Sequence, residues 1–135
     1  MEFALVLPVL LLILLAILKF GLMFNHYLTL TDAVRAGARQ LALGRGSATN
    51  PCTAAEQQAA NSAGSLNLVV GSSTFTESFS PIPAVETCTN SATAWIQGDQ
   101  ATLSATYPCD LKIMGVNFWP GGNCVLKASA TEAIE

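Results

Sequence analysis

The first 43 residues carry a hydrophobic pattern that changes character half-way along. Residues 3–18 are apolar at every position, which is typical of a helix buried on all faces. From about residue 25 a polar face appears, and Asp32, Arg35 and Arg39 lie on it at i, i+3 and i+7. We therefore predict one helix over residues 2–43, roughly 60 Å long. Its second half supplies apolar side chains to a head domain, namely Leu28, Leu30, Val34, Leu41 and Leu43.

Proline, glycine and other small residues predict local features of this helix. Pro8 removes one backbone donor, so we expect a kink or local loosening near it. The block 33–38 contains Ala33, Gly37 and Ala38, and lets another element approach the backbone closely. The stretch 44–47, GRGS, ends the helix, and Gly44 suits a left-handed C-cap.

The rest of the chain predicts a small α+β head. A second helix is expected over 53–63, with Thr53 as N-cap and Glu56 completing a capping box. Turn signals at Gly71-Ser72-Ser73 and at Gly98-Asp99 then separate β-rich runs, and each indicates an antiparallel hairpin. The predicted strands cover 66–70, 74–79, 92–97, 101–107 and 124–133, with a loop over 108–123. The fold class is therefore α+β: a long hydrophobic N-terminal helix with a disulfide-stapled antiparallel head.

Charge is distributed unevenly along the 135 residues, whose net charge is −3. Residues 1–46 hold four basic and two acidic side chains, whereas residues 47–135 hold two basic and seven acidic ones. A mildly acidic head argues against nucleic-acid binding, which needs clustered lysine and arginine.

Four cysteines, all after the apolar segment, indicate two disulfides formed in an oxidising compartment. Three connectivities can be drawn. We favour Cys109–Cys124, which closes the loop between the last two strands, and this leaves Cys52–Cys88. No C-x-x-C spacing is present, which argues against a zinc site.

The apolar segment fits three roles to different degrees. A cleaved signal peptide would end at a small-residue cleavage site, yet the helical pattern runs straight through Lys19. A membrane anchor fits better, although 16 strictly apolar residues fall slightly short of the ~20 that span a bilayer. An assembly helix, packed against sister copies, also gives Glu2 a role, since a carboxylate before an apolar run needs a partner or the membrane interface. The simpler interpretation of Glu2 is an acidic residue at a helix N-terminus, which the helix dipole favours.

Signs of catalysis are missing from the sequence. His26 stands without a nearby Cys, Asp or Glu pattern, and there is no phosphate-binding loop or nucleophile elbow. We therefore predict no enzyme activity, no cofactor and no metal. The apolar stretch 114–119 could contact another subunit, or it could cover the sheet or helix.

Three segments together carry a family resemblance. They are EFALVLP at 2–8, KFG at 19–21 and VRAGAR at 34–39, and the closing VLKASATEAIE is similar with less specificity. This pattern resembles the TadE-like family of pilin-related proteins from tight-adherence type IV pilus systems. The resemblance implies a pilin-like lollipop, cleavage by a prepilin peptidase and export. Glu2 would then match the pilin glutamate that neutralises a neighbour's terminal amine, although it stands second here instead of fifth.

We therefore predict a structural subunit of an extracellular Tad-type pilus, which polymerises through its N-terminal helix as a homo-oligomeric filament. The alternative is a membrane-anchored minor pseudopilin that primes or regulates assembly. Expected partners are the pilus assembly machinery, the prepilin peptidase and, before assembly, the inner membrane. The predicted regions are 1–24 for assembly or membrane insertion, 25–46 for the amphipathic half and 47–135 for the extracellular head. The predicted assembly residues are Glu2, Phe3, Pro8, Leu11, Leu15, Lys19 and Phe20.

Overall fold

One long helix forms the axis of the molecule. The computed structural model describes residues 2–46, 50–72, 74–80, 88, 95–109, 112–113, 116–117 and 124–135. Helix α1, Glu2–Ala42, runs unbroken through Pro8 and confirms the helix predicted from the sequence. Its 41 residues give it a length of roughly 60 Å at about 1.5 Å per residue.

The end of α1 is a turn over residues 43–46. The left-handed residue of this turn is Gly46, with φ 74°, so the predicted left-handed cap at Gly44 was wrong. Gly44 is needed for a different reason, because a Cβ at this position would collide with the Pro51 ring. The chain therefore turns tightly from the first helix into the second.

Helix α2, Pro51–Ala63, begins two residues earlier than predicted. Its N-cap is Asn50, whose side-chain oxygen accepts a hydrogen bond from the Cys52 N–H at 3.1 Å. Pro51 occupies the first helical position, where its fixed φ favours the helix and its missing donor is not needed. The predicted cap at Thr53 was therefore wrong, and the Thr53 hydroxyl instead donates to the Asn50 carbonyl at 2.9 Å.

The head contains a three-stranded antiparallel sheet. Its strands are β1 (Phe75–Ser80), β2 (Gln100–Cys109) and β5 (Cys124–Ala133). They confirm three of the predicted strands. Two short strands between β2 and β5, β3 at Lys112–Ile113 and β4 at Val116–Asn117, pair with each other inside the segment predicted as a loop. The sheet is therefore built mainly on β2, which pairs with a strand on each side.

The predicted strand over 66–70 was wrong. Residues Gly64–Leu66 form a 3₁₀ turn, and Asn67 follows with a left-handed φ of 48°. This backbone cannot continue as a strand, so the predicted hairpin through Gly71 does not form. Strand β1 pairs with β2 instead.

The second predicted hairpin, around Gly98 and Asp99, does not form either. Residues 95–96 are not in a strand, while residues 92–94 lie outside the described residues. The Gly98 N–H donates to the Ile134 carbonyl at 2.9 Å, and the Ile134 N–H donates to the Asp99 carbonyl at 2.7 Å. The turn thus fastens the C-terminus, as Ile134 is almost fully buried.

The core lies between the second half of α1, helix α2 and the inner face of the sheet. Packing is tight at Gly37, because a Cβ there would lie 2.5 Å from the Leu103 Cδ2 and 2.9 Å from both the Ala55 carbonyl oxygen and the Ala59 Cβ. This confirms that the small-residue block admits a neighbouring element. The head buries Leu30, Val34 and Leu41 completely, whereas Leu28 and Leu43, which were also predicted to face it, remain about half exposed.

Two disulfides connect the head in the pairing that the sequence favours. Cys109 and Cys124 face each other at the end of the β2–β5 ladder, with Cα atoms 5.0 Å apart. Cys52, at the start of α2, pairs with Cys88 over 36 residues of chain. Both bonds close long loops of the chain, so each one restricts the conformations that the unfolded chain can adopt.

Candidate assembly surface

The first half of α1 presents apolar side chains that the described chain leaves largely exposed, except near Met23 at its end. We call residues 6–24 the exposed apolar stretch. Val6, Leu10 and Ile17 are 60%, 60% and 66% exposed, against 0% for Leu30 in the covered half. A contiguous exposed apolar surface of this kind marks a site of contact with a membrane or another protein.

The exposed apolar stretch is part of a helix long and apolar enough, by length and composition, to cross a membrane. Its side chains face outward in every direction around the axis, as bulky residues occupy nearly all of its positions. A lipid bilayer or a ring of sister helices could both cover such a cylinder, whereas a single partner could cover only one side of it.

Contact between helix and head begins at Met23, which packs against the core. Just outside this contact lies an apolar groove of about 260 Å³, and its lining contains Phe20, Phe24 and Leu126. The groove continues the exposed apolar stretch onto the head. A helix that packs along the stretch would therefore also meet the sheet at Leu126.

A second concavity, of about 220 Å³, lies beside Lys19, and we call it the Lys19 pocket. It is open to solvent, and its lining includes the polar side chains of Lys19, His26 and Tyr107, with Pro108 and Cys109 at the end of β2. The His26 and Tyr107 rings meet edge to face with centroids 5.7 Å apart, which holds both in place. The Lys19 side chain thus stands at the rim of the head, half-buried.

The predicted assembly residues all lie on α1. Pro8, Leu11, Leu15 and Lys19 follow one another at spacings of three, four and four, so they share one helix face. Leu11, Leu15 and Phe20 are 47%, 36% and 63% exposed. Glu2 and Phe3 lie in the first turn, where the structure describes the backbone only. That these residues mediate assembly stays a prediction.

The head supplies residues to this surface that the sequence did not indicate. Tyr107, Pro108 and Leu126 reach the helix because β2 and β5 are long antiparallel neighbours whose Cys109–Cys124 end lies against α1. No local motif marks them. Their place follows from the register of the sheet, which a single sequence does not reveal. The stretch 114–119 lies outside the described side chains.

A pair of carboxyl groups inside the head was also missed. Glu56 of α2 is buried and accepts a hydrogen bond from the Gly71 N–H at 2.5 Å, instead of closing the predicted capping box. Glu77 faces the same space from β1, and burial together with the Glu56 carboxyl raises its pKa to about 7. The Glu77 carboxyl therefore keeps its proton to a higher pH than an exposed glutamate does.

Metal binding has no support in the described part of the chain, where no group of three or more His, Cys, Asp or Glu side chains could hold an ion. His26 contacts an aromatic ring and no carboxylate among the described residues. The described residues therefore offer three surfaces for contact with other molecules. They are the exposed apolar stretch, and the apolar groove and the Lys19 pocket at its junction with the head.

Comparison with known proteins bears on the same part of the molecule. Residues 1–39 match the family model of TadE-like proteins. This confirms the resemblance seen in the sequence, and the matched segment contains the whole exposed apolar stretch and the small-residue block. A comparison with curated proteins found no match, and a comparison with solved structures found none.

The match and the exposed apolar stretch together fit a pilin-like protein associated with a Tad-type pilus. A long apolar helix that carries a small head with two disulfides has the lollipop layout expected for such a protein. The similarity covers less than a third of the chain, so the role of the head rests on its own structure.

Proposed function

We propose that this chain is a structural subunit of an extracellular Tad-type pilus and polymerises through the exposed apolar stretch. The observation that carries the proposal is the division of α1: the head buries one face of its second half and leaves most side chains of residues 6–24 exposed. A filament in which these stretches pack together would cover them and place the heads outside.

In a filament surrounded by water, apolar burial holds the subunits together. Each Leu, Ile or Phe transferred from water into a helix core contributes about 1.5–3 kcal/mol. The exposed apolar stretch contains many such side chains, so the gain exceeds the several kcal/mol that association costs in lost freedom. The predicted assembly residues, from Glu2 and Phe3 to Lys19 and Phe20, belong to this core in the proposal.

The proposed route runs through the cytoplasmic membrane. The apolar stretch would lie in the bilayer before assembly, where a prepilin peptidase and the assembly machinery would act on it. The head would then face an oxidising compartment, in agreement with its two disulfides. In this proposal the protein has a structural role and no catalytic one.

A second role, a membrane-anchored minor pseudopilin that primes or regulates a filament, has its own support. The helix has the length and composition of a membrane span, and lipid would cover the exposed apolar stretch as well as sister helices would. In that role the chain would stay single in the membrane or sit at one end of a filament.

Negative-stain microscopy of the purified protein after detergent removal separates the two roles. We expect regular filaments that contain this chain alone. Particles that stay monodisperse in detergent and form no filament when it is removed would support the membrane-anchored role.

A polar substitution tests whether the apolar stretch forms the filament core. Leu11→Asn should abolish filaments, because it would place an amide inside a packed helix core. Val69→Asn is the matched control, since Val69 is also exposed but lies in the head. Equal filament yields from the two variants would contradict the proposal.

Glu2→Ala tests the charged end of the helix. We expect this variant to keep a folded head with both disulfides and to form far fewer filaments, because an assembly that contains a buried cation would lose its partner. An unchanged yield would show that the Glu2 charge has no part in assembly.

A further inference from the structure

The Lys19 pocket lies where the apolar part of α1 meets the head. Residues 3–18 are apolar throughout and measure roughly 24 Å along the axis, against about 30 Å for the hydrocarbon core of a bilayer. Lys19 follows directly, and Tyr107 and Pro108 of β2 line the pocket from the side of the head. When the exposed apolar stretch lies in a membrane, the lysine side chain therefore extends into the headgroup layer next to the head.

Two faces of α1 differ at this depth. Phe20 and Phe24 are 63% and 62% exposed and extend the apolar surface by more than one turn beyond residue 18. Lys19 and His26, which are seven residues apart, share a different face and line the pocket together. A bilayer around the helix thus meets apolar side chains on one face and hydrogen-bond donors on the other.

The polar groups of the Lys19 pocket suit a phosphate. The Lys19 ammonium, the Tyr107 hydroxyl and an imidazole N–H of His26 can all donate hydrogen bonds into a space of about 220 Å³. The edge-to-face contact between the His26 and Tyr107 rings holds both of these donors in place. Among the described lining residues there is no Asp or Glu to pair with the ammonium. An anion with several acceptor oxygens therefore matches the pocket in charge and in hydrogen bonding.

The helix face that precedes the pocket is apolar. Leu15 and Leu12 come four and seven residues before Lys19, so they lie on the same face, and they are 36% and 46% exposed. A phosphate bound at Lys19 would thus have an apolar surface beside it that leads toward the membrane interior. A phospholipid combines a phosphate with acyl chains in one molecule, whereas free phosphate would use only the polar part of this surface.

We propose that the Lys19 pocket binds the phosphate of an anionic phospholipid while α1 lies in the membrane, with the acyl chains along Leu12 and Leu15. An anionic headgroup compensates the lysine charge, which a zwitterionic headgroup leaves uncompensated. The described lining also offers no carboxylate to a headgroup amine. This inference rests on the proposed function, namely on the membrane-inserted state that both proposed roles share, and it adds a lipid class and a binding site to that state.

Native mass spectrometry of the full chain, released from nanodiscs with equal amounts of phosphatidylglycerol and phosphatidylcholine, tests the site. These two lipids share the phosphate and the acyl chains and differ in net charge. We expect the wild-type chain to retain phosphatidylglycerol about fivefold more than phosphatidylcholine, as one lysine near an anionic surface would produce. Equal retention of the two lipids would overturn the proposal.

A pair of charge variants separates the pocket from general attraction. Lys19→Gln should bring the two lipids to equal retention, because it removes the cation from the pocket. Arg39→Gln is the matched control, since it removes the same charge from α1 about 30 Å further along the axis, and it should keep the wild-type preference. An Arg39→Gln variant that loses as much preference as Lys19→Gln would show that net charge attracts the lipid and that the pocket does not.

Tyr107→Phe tests the pocket itself. This variant keeps a ring against His26 and removes only the hydroxyl, so the preference should fall at least about twofold through the loss of one hydrogen bond. A wild-type preference in Tyr107→Phe would reject the pocket as the binding site and leave only attraction to Lys19. Both disulfides oxidised in every variant serve as the control for folding.

These outcomes are distinct from failure of the proposed function. A chain that enters nanodiscs and retains both lipids equally would leave the membrane-inserted state intact and reject the phosphate site. A chain that does not enter the bilayer would reject that state, and the site would fall with it. A second copy of the chain in place of retained lipid would show that the pocket serves contact between subunits and would overturn the lipid site.

Discussion

The two halves of α1 belong to one continuous helix and yet meet opposite surroundings. In the second half, Leu30, Val34 and Leu41 are completely buried by the head, while in the first half Leu10 and Ile17 are 60% and 66% exposed. Apolar side chains occur in both halves, so hydrophobicity alone does not decide which half the chain covers itself.

The difference lies in side-chain volume and in the elements available to pack on each half. Around Gly37 the covered half is built from glycine and alanine, and these small residues let α2 pack closely. A Cβ added at Gly37 would touch Ala55 and Ala59 of α2. The first half is built mainly from leucine and isoleucine. Among the described residues it has no equivalent contact around Gly21, where a Cβ would meet none of their atoms within 4 Å. In α1, small residues thus allow the chain's own head to pack on the helix, whereas the bulky residues of the first half remain available for contact with another molecule.

The largest expected difference between the halves comes from removing a leucine side chain. Leu103, completely buried in β2, contacts the covered half at Gly37. Leu103→Ala should lower the free energy of unfolding of the head by about 3 kcal/mol, because it leaves a cavity. Leu15→Ala, in the exposed half, should change it by less than about 0.5 kcal/mol. Chemical denaturation in detergent, followed by tryptophan fluorescence, measures both.

The same pair of variants should reverse order in an assembly assay. Leu15→Ala removes apolar surface from the proposed filament core, whereas Leu103→Ala acts through head folding. A Leu15→Ala variant that destabilises the isolated head as much as Leu103→Ala would show that the division of α1 is wrong.

A glycine pair sharpens the comparison at constant chemistry. Gly37→Ala should destabilise the head by about 2 kcal/mol, because the new methyl group would press on the Ala55 carbonyl oxygen and the Ala59 methyl group at 2.9 Å. Gly21→Ala has open space around it and should stabilise the helix by up to about 1 kcal/mol. Thermal unfolding followed by circular dichroism in detergent gives both signs, and a stabilising Gly37→Ala would contradict the close packing.

The carboxyl pair in the head predicts a pH dependence that the exposed half does not share. The pKa of Glu77 is about 7 in the folded head against an ordinary value of 4.5. The folded chain therefore holds a proton that the unfolded chain has lost, so the free energy of unfolding falls as pH rises from 4.5 to about 7 and then levels off. The loss is about 1 kcal/mol once solvent screening at this half-buried group is allowed for.

Glu77→Gln tests this cause. An amide at position 77 carries no charge, so the variant should lose most of the fall in stability between pH 4.5 and about 7. Urea denaturation on the acidic and the alkaline side of this range gives the comparison. A variant that keeps the full pH dependence of the wild type would place its origin elsewhere.

The smallest expected effect belongs to the surface of the covered half. Asp32 and Arg35 form an exposed ion pair at 3.9 Å, as the i,i+3 spacing predicts. Asp32→Asn should lower the free energy of unfolding by no more than about 0.5 kcal/mol, because both groups stay hydrated. A loss above about 1 kcal/mol, measured at two salt concentrations, would show that the pair supports the helix more strongly than its exposure indicates.

Long, repetitive patterns made much of this fold predictable. The helix over Glu2–Ala42 follows from uninterrupted helix-forming residues, and β2 follows from alternating side chains. The small residues around Gly37 indicated where another element would pack, and the Cys109–Cys124 pair followed from the loop that it closes.

The predictions for short segments were wrong because the rest of the molecule decides the conformation of these segments. Residues 66–70 are β-rich, yet Asn67 takes a left-handed conformation and Leu66 turns into the core. The N-cap of α2 is Asn50 and not the predicted Thr53, since Pro51 fixes the start of the helix. The Lys19 pocket could not be foreseen either, because it needs the β2–β5 register to bring Tyr107 and Pro108 to the helix.

A helical reconstruction by electron cryomicroscopy of filaments grown from this chain tests the central claim most directly. We predict a filament core made of parallel copies of the exposed apolar stretch, with the two-disulfide heads on the outside. A reconstruction whose core is built from a different, smaller protein, with this chain only at the filament end or missing, would contradict the proposed structural role.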